Sequence, residues 1–120
     1  MPDPNMTILY VDNPPASAAF YGELLEKTPV ESGPTFAAFA LGSGTMLGLW
    51  SKHTVVPAAT GIGGCEVGFS VESNAVVDSL YADWKARGLP ILQEVSDVDF
   101  GRTFVALDPD GHRLRVYTLA

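Results

Sequence analysis

The chain has 120 residues, 47% of them apolar and 18% charged, with a formal net charge of −7. That length suits one domain burying about two thirds of its unfolded surface without a disulfide or metal staple, and that apolar content excludes a disordered chain. The 7 Lys and Arg, scattered among 14 Asp and Glu, cannot neutralise a row of phosphates or hold an anionic bilayer, so neither nucleic acid nor membrane is an expected partner.

Thr7 to Val11 is β-branched and apolar and reads as a first strand. Asn13 followed by Pro14 is an N-cap with proline at the first helical position. Ser17, Phe20, Tyr21 and Leu24 then recur at helical spacing, with Glu23, Glu26 and Lys27 on the wet side. Pro29 and Gly33-Pro34 bracket a short strand near Val30. Thr35 to Leu41 and Thr45 to Trp50 are two further strands joined by the tight turn Gly42-Ser43-Gly44. The order so far is βαβββ, over residues 5–51.

Residues 52–64 form a connector rich in proline, glycine and small residues. The order then repeats over residues 65–118. A strand spans Cys65 to Val71, Ser73 or Asn74 caps a helix whose inner side carries Val77, Leu80, Tyr81 and Trp84, and Gly88 and Pro90 stop it. Strands follow near Ile91-Leu92, from Arg102 to Leu107 and from Arg113 to Thr118. The last two are joined by Asp108-Pro109-Asp110-Gly111, where Asp accepts from its own backbone, Pro sets the first corner and Gly takes a positive φ. Subtracting 60 carries Glu66–Val71 onto Met6–Val11, and Leu80, Tyr81 and Trp84 onto Phe20, Tyr21 and Leu24. Each half is therefore one supersecondary unit, and each residue can be judged against its twin. The N-terminal stretch Met1-Pro2-Asp3-Pro4-Asn5 lacks the basic and apolar segments of a secretory signal, and Cys65 has no partner for an internal disulfide. A reducing cytoplasm is the expected compartment.

Two βαβββ modules, the opening Tyr10-Val11-Asp12 to Phe20-Tyr21 and the ending Phe100-Gly101-Arg102-Thr103-Phe104 through Asp108-Pro109-Asp110-Gly111-His112 together resemble the vicinal oxygen chelate superfamily, which includes glyoxalase I, extradiol dioxygenases and bleomycin-resistance proteins. Leu47 to Ser51, Glu66 to Phe69 and Phe100 to His112 look most like phenazine antibiotic resistance proteins, a metal-free branch that sequesters a planar drug. The resemblance implies an α+β fold in which two modules form curved mixed sheets around a cavity, as a single domain over 1–120, with a homodimer as the expected assembly.

Carried over position by position, the four metal-ligand positions of the superfamily fall on Met6, Gly48, Glu66 and Arg115. Only Glu66 suits a hard divalent ion; a thioether is a poor match, glycine offers nothing and a guanidinium repels the cation. Neither a metal nor another cofactor is expected. His53 reads as a solvated connector residue and His112 as a structural hydrogen-bonding residue at the last hairpin. Glu66 and Arg115 would pair across the cavity, either orienting a polar ligand or merely neutralising each other.

Alternation along the strands from those positions places Met6, Ile8 and Tyr10, Met46, Gly48 and Trp50, Glu66, Gly68 and Ser70, and Arg113, Arg115 and Tyr117 on the concave face. Aligning Leu41 with Leu107 adds Phe36, Arg102 and Phe104. The expected ligand-binding set is Tyr10, Phe36, Met46, Gly48, Trp50, Glu66, Gly68, Arg102, Phe104, Arg115 and Tyr117. Trp50, Phe36, Phe104 and Tyr117 would sandwich a planar aromatic molecule, and Arg102 or Arg115 would meet a carboxylate on it; the bland alternative is that these aromatics pack on one another or at a dimer seam. Gly48 and Gly68 would clear space in mid-strand. No catalytic residue is assigned: Cys65 lacks a histidine at motif distance, and Glu23 with Glu26 and Asp97 with Asp99 read as solvating charge. The rival readings are a metal-dependent glyoxalase or extradiol dioxygenase, and a metal-independent lyase or isomerase using Glu66 as base.

Overall fold

A computed structural model describes all residues, 1–120, in two compact units, Met1–Gly61 and Ile62–Ala120. The boundary falls inside the connector marked by glycine and proline. The first unit runs β1 (Met6–Val11), α1 (Pro14–Leu25), β2 (Glu31–Ser32), β3 (Phe36–Ala40) and β4 (Met46–Ser51); the second runs β5 (Glu66–Ser70), α2 (Asn74–Ala86), β6 (Ile91–Val98), β7 (Gly101–Leu107) and β8 (Arg113–Leu119). Each builds a four-stranded mixed sheet, β1-β4-β3-β2 and β5-β8-β7-β6. The first strand lies parallel to the last, and the intervening helix packs on one face of each sheet.

Both helices begin where the caps dictate. Asn13 Oδ1 accepts from the Ala16 amide at 3.0 Å, ahead of Pro14. Ser73 Oγ accepts from Val76 N at 3.3 Å, so Ser73 rather than Asn74 is the second cap. The first helix buries Pro14, Ser17, Ala18 and Tyr21, leaving Phe20 and Leu24 partly exposed on the flank of that stripe. It ends at Leu25 because Glu26 turns left-handed, with φ 54°. In the second helix Val77 and Trp84 are buried, as the periodicity predicts.

The core of each unit lies between helix and sheet. Leu9, Val11, Tyr21, Phe39, Leu47 and Leu49 fill it in the first unit. Val77, Trp84, Phe104, Leu114 and Val116 fill it in the second, where Trp84 meets Phe69 and Phe104 edge-to-face with centroids 5.5 and 5.4 Å apart. The apolar alternate residues of β1, β4 and β8 thus face their helix.

One strand differs clearly from expectation. The strand expected at Ile91-Leu92 runs on to Val98, and its register against β7 shifts twice, between Ile91 and Gln93 and between Gln93 and Ser96. Such bulges break the period of two that makes a strand readable. Asp97, read from the sequence as solvating charge, is therefore in this strand, opposite Arg102.

The register also corrects the alignment of the two hairpins. The first closes on the pair Ala40 and Met46, the second on Leu107 and Arg113. Ala40, not Leu41, is the twin of Leu107, and their loops are residues 41–45 and 108–112. A slip of one residue moves every side chain of a strand to the opposite face. The twin of Phe36 is consequently Thr103, opposite Tyr117, as Phe36 lies opposite Trp50.

Candidate functional site: the sheet faces away from the helices

The correction of register removes two expected ligand-binding residues. Phe104 stands opposite Val116 and is fully buried, its ring edge-to-face with Tyr81 and Trp84 at 5.4 Å from each. It is a core residue on the helix side. Arg102, two residues earlier, shares that side: Nη1 donates to Asp78 Oδ1 of α2 at 3.0 Å and Nη2 to Asp97 Oδ2 at 3.4 Å. This arginine staples helix to sheet and is not available to a ligand carboxylate.

In the first unit the expected residues do share the face away from the helix. Register pairs Met6 with Met46, Ile8 with Gly48, Tyr10 with Trp50 and Phe36 with Trp50. Met6, Ile8 and Tyr10 expose 43, 41 and 38% of their surface, a run of apolar side chains that alternation keeps out of the helix-side core. Phe36 and Trp50 meet edge-to-face, centroids 6.1 Å apart. Gly48 does not leave the open space expected of it: a Cβ there would lie 3.1 Å from the Phe36 ring and 3.4 Å from Ile8. The glycine lets Phe36 fold flat across the strand, an aromatic covering a gap that a side chain would fill.

The second unit repeats this arrangement with polar content. Tyr117 lies beside Gly68, its ring 3.5 Å from where a Cβ would stand, and meets Phe100 edge-to-face at 6.2 Å. Glu66 and Arg115 form a two-pronged ion pair, Nε to Oε1 at 2.8 Å and Nη2 to Oε2 at 3.1 Å. Arg115 Nη1 donates further to Gln93 Oε1 at 3.3 Å and Thr103 Oγ1 at 3.2 Å. Thr103 is fully buried and its hydroxyl donates to the Val116 carbonyl at 2.8 Å, so the guanidinium sits on a fixed acceptor. The hydrogen bonds from Arg115, reinforced by its charge and that of Arg113, hold the Glu66 carboxyl below its ordinary range despite the opposing cost of burial.

Gln93 and Thr103 belong to this network and were missed from the sequence. The bulges hide the face of Gln93, and the hairpin slip puts Thr103 on the wrong side. Once the closing pairs of the two hairpins are known, matching loops 41–45 and 108–112 end to end puts Thr103 on the right face.

Beside Glu66, a groove of about 490 Å³ is lined by Ile62, Gly63, Gly64, Cys65, Glu66, Gly111, His112 and Arg113. His112 is buried, and its amide, with that of Asp110, is held by Asp108 Oδ1 at 2.8 and 2.9 Å, so it belongs to the turn. His53 makes an exposed contact, Nε2 to Asp12 Oδ1 at 2.7 Å, which depresses the Asp12 carboxyl.

The donor set does not fit a divalent metal. Of the four positions carried over from the superfamily, Met6 and Gly48 supply no hard ligand, and both oxygens of Glu66 are committed to the Arg115 guanidinium. No group of three His, Cys, Asp or Glu side chains comes together anywhere in the chain. No helix is long and apolar enough to cross a membrane.

Residues 4–116 match the family model of the Glyoxalase/Bleomycin resistance protein/Dioxygenase superfamily. The phenazine antibiotic resistance protein EhpR of Enterobacter agglomerans is 33% identical over 119 residues, covering 97% of this chain and 92% of that protein. A solution NMR structure of an Agrobacterium tumefaciens protein is 56% identical, covers 100% of this chain and 99% of its own, and superposes with a TM-score of 0.92. A glyoxalase-related enzyme from Fulvimarina pelagi shares the fold at 23% identity, with TM-score 0.85 over 98% of this chain and 88% of that one.

Proposed function

The chain belongs to the Glyoxalase/Bleomycin resistance protein/Dioxygenase superfamily, and from that premise we propose that it is a binding protein of the resistance type, a homodimer that sequesters a small planar aromatic compound of the antibiotic class without transforming it. The observation that carries this reading is the content of the two helix-free faces. Where an enzyme of the superfamily would present hard metal ligands, one face offers Met6, Tyr10, Phe36 and Trp50, and the other a carboxylate locked in a two-pronged ion pair beside Tyr117. Polarisable rings recognise a flat ligand by stacking, at a strength that needs no ion. The similarity to the Enterobacter agglomerans resistance protein supports the same reading.

Use of Glu66 as the base of a lyase or isomerase is disfavoured by the same pair. A general base works best with a pKa near the operating pH, whereas Arg115 holds this carboxyl lower than usual. Tryptophan fluorescence against a panel of planar heteroaromatics tests the proposal. Binding should quench the half-exposed Trp50, and W50A should lose most of the signal while buried Trp84 keeps its own. Stoichiometric metal on which a turnover depends, or turnover abolished by E66Q with binding retained, would overturn it.

A further inference from the structure

The arginines on this surface are not equivalent, and their bookkeeping points to a subsite. Arg115 has four of its five N–H groups engaged, by Glu66, Gln93 and Thr103. Arg102 is held by Asp78 and Asp97, and Arg87 by Asp83 at 3.1 Å. Arg113 alone among the four arginines is exposed on β8 with no hydrogen-bond or ion-pair partner. It lines the groove of about 490 Å³ at the start of β5. Opposite it in register is Glu66, whose two oxygens are both hydrogen-bonded to Arg115 and which feels Arg113 only as a neighbouring charge. Among the side chains that line the groove, Arg113 is thus a cation with no paired carboxylate, in a chain whose net charge is −7.

Part of the groove's lining is glycine backbone. Gly63 and Gly64 have φ of 127° and 79°, with open space where a Cβ would stand, so a ligand can approach their main chain closely. Arg113, Arg115 and Tyr117 alternate along one face of β8. At ~3.3 Å per residue, Arg113 lies about 13 Å from Tyr117. That is the reach of a planar ring system resting on the tyrosine with a short arm along the strand.

We propose that this groove is an anion subsite in which Arg113 receives the carboxylate arm of the planar ligand, a role that neither Arg102 nor Arg115 can fill. The inference rests on the planar-aromatic reading above and specifies the ligand class. A planar guanidinium fork matches a carboxylate in two hydrogen bonds. One free positive charge beside Glu66 favours a monoanion over a phosphate dianion.

The test titrates the full chain with phenazine and with a phenazine bearing a carboxylate on a short flexible arm, following tryptophan quenching and heat. The carboxylate should bind about tenfold or more tightly, as a charge-assisted hydrogen bond allows. R113Q should bring the ratio to about one while leaving phenazine affinity and the circular dichroism spectrum unchanged. Equal affinities in the wild type, or a preference that survives R113Q, overturn the subsite and leave the planar-aromatic reading standing. If neither compound binds, the planar-aromatic reading fails, and a benzoate titration followed by amide NMR decides the subsite separately. Shifts at Gly63, Gly64 and Arg113 that vanish in R113Q support it, and their absence overturns it.

Discussion

Truncating Phe104 to alanine distinguishes a pocket wall from a core residue. The ring has no exposed surface and meets Tyr81 and Trp84 edge-to-face, each at 5.4 Å. Removing it forfeits about 2–3 kcal/mol of transfer free energy and two aromatic contacts of roughly 0.5–1.5 kcal/mol each. The sum agrees with the ~3–5 kcal/mol usual for core Phe→Ala changes. For a chain of 120 residues each kcal/mol lowers the midpoint by about 3–5 °C, so the expected fall is on the order of 10–20 °C. Urea unfolding followed by circular dichroism measures the first figure and a thermal scan the second. Ligand affinity measured well below the transition should be nearly that of the wild type. A variant that keeps its stability within about 1 kcal/mol but loses ligand binding would refute the register of β7, and with it the assignment of Arg102 to the helix side.

Gly101→Ala should be among the most damaging small substitutions, because φ there is 148° and a Cβ would collide with the Thr118 carbonyl across the β7–β8 ladder; a loss of more than about 2 kcal/mol in urea unfolding is expected, and a neutral effect would contradict the paired geometry. Asn13→Ala and Ser73→Ala should each cost about 1 kcal/mol by removing the acceptors of the Ala16 and Val76 amides, read as shifts of the urea midpoint. Glu66→Gln carries a pH signature. The native carboxyl is held below its ordinary value near 4.5, so its contribution is complete above that pH and is lost as pH falls through the lower native value. The wild type should exceed the variant by ~0.5–1 kcal/mol at pH 7, the partly exposed pair being screened by solvent, and the gap should shrink progressively as pH falls below the ordinary carboxyl value; a gap that does not change with acidification would exclude the ion pair as its source.

Much of this architecture is local and was readable along the chain. Asn13-Pro14 and the pair Ser73-Asn74 announce helix starts because a side-chain acceptor must satisfy amides that the helix leaves bare. The alternation of Leu9, Val11, Leu47, Leu49, Leu114 and Val116 separates core from outer face because a strand offers only two sides. The repeat at an interval of 60 gives the βαβββ order, and Met6, Tyr10, Trp50, Glu66, Arg115 and Tyr117 fall on the outer faces by the same parity.

What the residues alone could not decide is which strand positions stand opposite one another. That depends on where each hairpin closes and where β6 bulges, and both are settled by pairing across the sheet, not along the chain. A single-residue slip sent Phe104 and Arg102 to the wrong side and hid Thr103 and Gln93. Only the folded molecule shows that Arg115 has four of its five donors engaged while Arg113 has none, because the partners of a guanidinium lie up to 49 positions away in sequence and meet it through the ladders that join β5, β7 and β6 to β8.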